Sequence, residues 1–130
     1  MKNVIEKFIN NCIVAEKKNR LFFEFEKLNY RNKLLDRFSH NVEELIISSK
    51  VIKKIEKKDL TENTIFDYSK TFNKNLVFSS LNLEPKLYDI KQALEIINND
   101  FSPVLIFTDN VCIIKSEDSL NTYVYLLTCD

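Results

Sequence analysis

The chain has no glycine and no tryptophan, and only two prolines and one histidine among its 130 residues. Without glycine, a phosphate-cradling loop, a dinucleotide-binding turn and a Gly-x-Ser-x-Gly nucleophile elbow are all excluded. Each needs a backbone position that a Cβ would block, or a positive φ that a Cβ disfavours. Helices must also stop without the usual glycine just past their ends, which leaves Asn19, Asn29 and Asn99 as the residues best suited to a left-handed cap. No apolar run approaches the roughly 18 residues of a membrane span, so no membrane association is expected. The N-terminus reads as a charged amphipathic helix and not as an apolar leader. The three cysteines, Cys12, Cys112 and Cys129, are an odd number. Together these features imply a cytoplasmic protein in a reducing compartment, with Cys12 and Cys112 as small core hydrophobes.

Formal charge is zero, from 19 basic and 19 acidic residues. Its distribution is uneven: residues 1–65 hold 14 Lys and Arg against 10 Asp and Glu, and residues 66–130 hold 5 against 9. A neutral total argues against direct nucleic-acid binding, whose affinity rests on phosphate neutralisation by a basic surface. With 45% apolar residues and ten phenylalanines, the chain can bury a core without disulfides or metal. No cofactor is expected.

The stretch 103–127 organises the rest. Pro103-Val-Leu-Ile-Phe-Thr108, Val111-Cys-Ile-Ile-Lys115 and Leu120-Asn-Thr-Tyr-Val-Tyr-Leu-Leu127 are rich in β-branched and aromatic residues, and Asp109-Asn110 and Ser116–Ser119 separate them. This is the pattern of an antiparallel meander, with Asp109-Asn110 as a two-residue hairpin turn. The first two runs are apolar at nearly every position, so the sheet must be covered on much of both faces.

Apolar spacing predicts helices over about Lys2–Lys17, Arg20–Leu28 (packing Leu21, Phe25 and Leu28), Tyr30–Phe38 and Val42–Ile47, the last capped by Ser39 or Asn41. The lysine-rich run Lys50–Lys58 reads as a solvated face or a strand edge, with an anion patch as the alternative. A short helix is expected around Ile65–Phe72 and a strand over Leu76–Ser80. Glu84-Pro85 is read as the start of a helix burying Leu87, Ile90, Ala93, Leu94 and Ile97. The expected architecture is one α+β domain over residues 1–130, helical over 1–49, mixed over 50–75, and sheet plus one helix over 76–130. An N-terminal helical layer packs on a mainly antiparallel sheet, with β-α-β-β-β order from residue 76.

Two sets of side chains stand out. Asp89, Glu95, Asp100, Asp109, Glu117 and Asp118 would give the C-terminal half an acidic surface suited to a basic partner. Alternatively, Arg31, Arg37 and His40 would form an anion site or the centre of a small enzyme. His40 must serve any chemistry that needs an imidazole, and its plainer role is to cap a helix C-terminus or to hydrogen-bond a neighbouring carboxylate. A zinc site would draw all three cysteines and His40 out of their settings, so no metal is expected.

Arg20-Leu-Phe-Phe-Glu-Phe25, the series Arg31, Lys33, Arg37, Phe38 and His40, and the late hairpin with its Ser116-Glu117-Asp118 turn resemble a group of small, poorly characterised bacterial proteins, and in size and make-up the chain is similar to small bacterial immunity proteins of the contact-dependent inhibition type. The resemblance covers residues 18–47 and 103–127. It implies a cytoplasmic, non-enzymatic protein that binds and neutralises a cognate protein toxin, and it assigns no residue a role.

Overall fold

A computed structural model describes residues 2–68, 75–108, 110–119 and 122–129. The first helix, α1 (Lys2–Cys12), buries Ile5, Phe8, Ile9 and Cys12, an i, i+3, i+4, i+7 stripe on one face. It stops earlier than its apolar pattern suggests. Ile13 pairs with Ile46 in an isolated bridge, Val14 N–H donates to Leu45 O at 2.9 Å, and Ile47 N–H donates to Cys12 O at 2.7 Å. A tertiary backbone contact thus takes the groups that a continued helix would have used. The next helix, α2 (Ala15–Glu26), runs straight through Asn19 and buries Leu21 and Phe25, while Leu28, expected inside, is exposed. Helix α3 (Arg31–Asp36) buries Leu34 and Leu35, with Phe38 just beyond it fully buried. The short α4 (Val42–Leu45) follows Asn41, whose side chain makes no capping bond.

The Lys50–Lys58 run holds β1 (Val51–Glu56), an outer strand of the sheet. Thr61 then caps α5 (Glu62–Phe66), which ends before the helix expected over Ile65–Phe72 would; residues 69–72 of that stretch lie outside the described residues. Next comes β2 (Asn75–Ser79), and then a departure from the sequence pattern. Glu84-Pro85 opens no helix: both lie in β3 (Asn82–Tyr88), and α6 (Ile90–Asn99) starts only after Asp89. Asp89 accepts from Gln92 N–H at 2.8 Å while Gln92 Oε1 accepts from Asp89 N–H at 3.2 Å, a reciprocal capping box that sets the helix start. Pro85 is tolerated because β3 is an outer strand and its register with β2 shifts between Val77 and Ser79. Leu87, placed in the helix by its spacing, is an exposed strand residue. The meander follows as β4 (Val104–Thr108), β5 (Val111–Lys115) and β6 (Tyr123–Thr128). Thr108 pairs with Val111 across a two-residue turn, of which Asp109 lies outside the described residues.

The result is α+β, with an antiparallel six-stranded sheet in the order β1-β6-β5-β4-β2-β3. From residue 76 the order is β-β-α-β-β-β, one strand more than expected. Period-two alternation divides the strands between two apolar layers. Leu76, Phe78, Leu105, Phe107, Cys112, Ile114, Tyr125 and Leu127 face α1 to α4, whereas Val77, Val104, Ile106, Val111, Ile113, Val124 and Leu126 pack with Leu60, Ile65, Ile90, Ala93 and Ile97 around α5 and α6. Both faces are therefore covered, as the continuous apolar runs require.

Candidate functional site

Helices in this chain end without glycine, and three of them end by turning into extended backbone: Lys27 (φ −101°), Ile46 (φ −94°) and Asp100 (φ −97°) follow α2, α4 and α6. Asn19, Asn29 and Asn99 are not left-handed stops of these helices; Asn19 and Asn99 lie within α2 and α6, and Asn29 within a 3-10 turn. The carbonyls left over at the end of α6 need partners, and lysines supply them. Lys115 Nζ donates to Asp100 O, and Lys57 Nζ approaches Asn98 O at 3.4 Å. Cations there also suit the negative end of the helix dipole.

Both ammonium groups meet Asp118. Lys115 Nζ donates to Asp118 Oδ1 at 2.8 Å and Lys57 Nζ to Asp118 Oδ2 at 2.6 Å. The Lys115 side chain has 0% solvent exposure. Burial pulls its ammonium below the usual lysine range, and the hydrogen bond it donates to Asp118 offsets only part of this. Burial pushes the Asp118 carboxyl up, but the two lysine hydrogen bonds outweigh it and hold the group below the usual aspartate range. Asp118 N–H also donates to Phe101 O at 2.7 Å. The connection between β5 and β6 thereby clamps the segment 98–101.

That clamp positions a groove. Leu81, Asn82, Tyr88, Gln92, Glu95, Ile96, Asn99, Asp100, Phe101 and Ser102 line a cavity of about 610 Å³ between the β2–β3 turn and the C-terminal half of α6. Two of its large apolar residues are strongly exposed, Leu81 at 84% and Phe101 at 73%. The lining contains two carboxylates, Glu95 and Asp100, and no basic side chain among the described residues. Asp100 Oδ1 accepts from Ser102 N–H at 2.9 Å, while its Oδ2 is buried without a hydrogen-bond partner among the described residues.

The acidic residues singled out in the sequence thus separate. Glu95 and Asp100 share the groove; Asp89 is the cap of α6; Glu117 lies 3.3 Å from His40; Asp109 lies outside the described residues. Asp118, expected at a partner surface, is instead the counter-ion of two lysines, with 15% of its side chain exposed. Leu81 and Phe101 escaped the sequence reading. Their signal is a large apolar residue set among turn formers, in Ser79-Ser80-Leu81-Asn82 and Asn98-Asn99-Asp100-Phe101-Ser102.

The anion site expected from Arg31, Arg37 and His40 is not assembled. Arg31 Nε donates to Phe25 O at 2.7 Å and Nη1 to Leu83 O at 2.8 Å, with its guanidinium 4.2 Å from the Phe25 ring centroid, so it fastens the helical layer to β3. Arg37 forms a two-pronged pair with Glu24, at 2.7 and 2.8 Å, and the Glu24 side chain is 1% exposed. That bonding holds the Arg37 guanidinium above its usual range. His40 is 77% exposed beside a carboxylate, one form of its plainer expected role. In the lysine-rich run, Lys54, Lys57 and Lys58 each pair with an acid, Glu43, Asp118 and Glu56 respectively.

Cys12, Cys112 and Cys129 are buried free thiols, with Cys12 Sγ 3.7 Å from Cys129 Sγ. The hydrogen bond to Cys129 together with burial pushes the Cys12 thiol far up, and burial raises the Cys112 thiol against an opposing hydrogen bond with Cys129. Such thiols are poor nucleophiles. Among the described residues no group of three or more His, Cys, Asp or Glu side chains is arranged to hold a metal ion, and no helix is long and apolar enough to cross a membrane. The chain matches no family model, no curated protein and no solved structure.

Proposed function

We propose that this chain is a non-enzymatic binding protein of the bacterial immunity type, which works in the cytoplasm by holding and neutralising a cognate protein toxin. The observation that carries the reading is the exposure of Leu81 and Phe101 at an acid-lined groove. A solvated aromatic and a solvated leucine beside a concave surface are the usual core of a protein interface, and nearby charge steers and aligns the partner. The groove belongs to the more acidic half of the chain, and a toxin that acts on nucleic acid carries a basic surface. The polar clusters elsewhere are already satisfied within the fold: Arg37 by Glu24, Lys115 and Lys57 by Asp118. That favours binding over catalysis.

The test begins with a pull-down of the tagged protein from its native host, with Phe101→Ser as the control. The captured protein is then expressed alone and together with this chain. The reading requires a partner that arrests growth alone, does not arrest growth in co-expression, and is lost from the Phe101→Ser bait. A partner without toxicity, or growth arrest that co-expression leaves unchanged, would end it.

A further inference from the structure

We infer that the groove between the β2–β3 turn and α6 receives a lysine or arginine side chain, presented on an exposed segment of the partner, with its aliphatic stem against Leu81 and Phe101 and its cationic head at Glu95 and Asp100. The inference rests on the immunity reading only in naming a toxin as the owner of that side chain; the chemistry of the groove is argued independently.

The lining pairs two kinds of surface. Leu81, Ile96, Phe101 and Tyr88 supply apolar area, and Glu95 and Asp100 supply negative charge with no base among the described lining residues. A basic side chain has the same division, an apolar stem that covers hydrophobic surface and a charged head. The Phe101 ring adds a favourable face for a cation, whereas the Tyr88 ring already has Lys86 Nζ 5.4 Å from its centroid.

Asp100 gives the cation a defined address. Its Oδ1 is satisfied by Ser102 N–H, whereas Oδ2 is buried without a donor among the described residues. The nearest buried ammonium, that of Lys115, donates instead to the Asp100 carbonyl and to Asp118. Asp100 Oδ2 is closed to solvent, so the cationic head meets the charge of Asp100 at the groove wall and not through a bond to that oxygen. Two carboxylates at one groove favour a cation over a neutral donor. The volume, about 610 Å³, exceeds one side chain and admits its flanking backbone. The clamp from Lys115, Lys57 and Asp118 holds the segment carrying Asp100 and Phe101, so the groove is pre-formed.

The probes are an acetylated, amidated pentapeptide Ala-Leu-Lys-Leu-Ala, the same peptide with glutamate in place of lysine, and spermidine. Each is titrated into the isotope-labelled full chain, and backbone amide shifts are followed by NMR. The lysine peptide should shift Gln92, Glu95, Ile96 and Phe101. Its dissociation constant should rise at least tenfold in Glu95→Lys, an exposed position, and in Asp100→Asn, which keeps the acceptor for Ser102. Equal responses to the lysine and glutamate peptides, shifts confined to another surface, or unchanged affinity in both variants would overturn the inference. So would saturation of the groove by spermidine with no response to the peptide, which would make the occupant a free polyamine. A captured toxin that is lost from Phe101→Ser but binds Glu95→Lys and Asp100→Asn as it binds the native chain would sink the inference of a basic side chain and leave the immunity reading standing. A groove that takes the lysine peptide when no toxin is captured would do the reverse.

Discussion

Lys115 Nζ lies 2.8 Å from Asp118 Oδ1, across a connection in which Asp118 also takes Lys57 at 2.6 Å. One carboxylate is therefore the shared counter-ion of two ammonium groups, of which one is wholly buried. Asp118→Ala should cost about 3–5 kcal/mol in urea unfolding, because it leaves Lys115 buried and unpaired. Lys115→Met should cost less, since Asp118 keeps Lys57. The pH dependence follows from the directions of the two shifts. The Asp118 carboxyl sits below the ordinary 3.8, so its stabilisation is complete above pH 3.8 and is lost as pH falls through its folded-state value. Lys115 sits below the ordinary 10.5, so its burial penalty is present at neutral pH and is relieved as pH rises towards 10.5. Asp118→Asn should flatten the acid limb of stability against pH, and Lys115→Met the alkaline rise.

Arg37 and Glu24 form the other buried ion pair, with the Glu24 side chain 1% exposed. Arg20, at 3.3 Å, is a second cation for Glu24. Arg37→Ala should therefore destabilise by about 2–3 kcal/mol, short of the full cost of an orphaned buried carboxylate. Arg37→Lys should recover only part, because an ammonium cannot reproduce the two-pronged bond. Chemical denaturation of the three proteins at one pH decides this, and equal stability of Arg37→Ala and the native chain would refute a structural role.

Asp89 is exposed but structurally committed through its capping box with Gln92. Asp89→Ala should cost about 1 kcal/mol, and Asp89→Ser much less, since serine also accepts from an N3 amide. Amide hydrogen exchange should speed first at Gln92, whose N–H donates to the Asp89 carboxylate in the opening turn of α6. Were Asp89 a contact residue instead, its substitution would weaken partner binding and leave the exchange untouched.

The outer strand β1 exposes Lys53 and Lys54, and Lys54 is tied to Glu43 at 3.0 Å and sits 4.5 Å from the Tyr123 ring centroid. Lysines on an outer strand discourage pairing with a second chain. Lys53→Val with Lys54→Val should raise light scattering on heating well below the native onset. An unchanged onset would mean that the lysines do not guard this edge.

The meander was legible because three β-rich runs with short polar turns admit few other pairings, and two runs apolar at nearly every position demanded cover on two faces. The α6 stripe of Ile90, Ala93 and Ile97 was legible too, but its start was not. Glu84-Pro85 resembles a helix opening, while the pairing of β3 with β2 lies outside any local window. The end of α1 failed for the same reason, since Ile46, more than thirty residues on, takes the backbone at Ile13. At the candidate site, charge was readable and placement was not. Six acids looked like one surface, but only Glu95 and Asp100 meet at the groove, and Leu81 and Phe101 matter because the fold leaves them uncovered.

By itself the sequence determined the α+β class, the apolar faces and the exclusion of glycine-dependent chemistry, since these depend on residue type and short-range periodicity. Only the tertiary structure decided which charges are spent inside the fold. A lysine or an aspartate has the same formal charge in any sequence, and whether it faces water, a helix end or a counter-ion is set by contacts between residues far apart in the chain, as in Lys57 with Asp118 and Arg37 with Glu24.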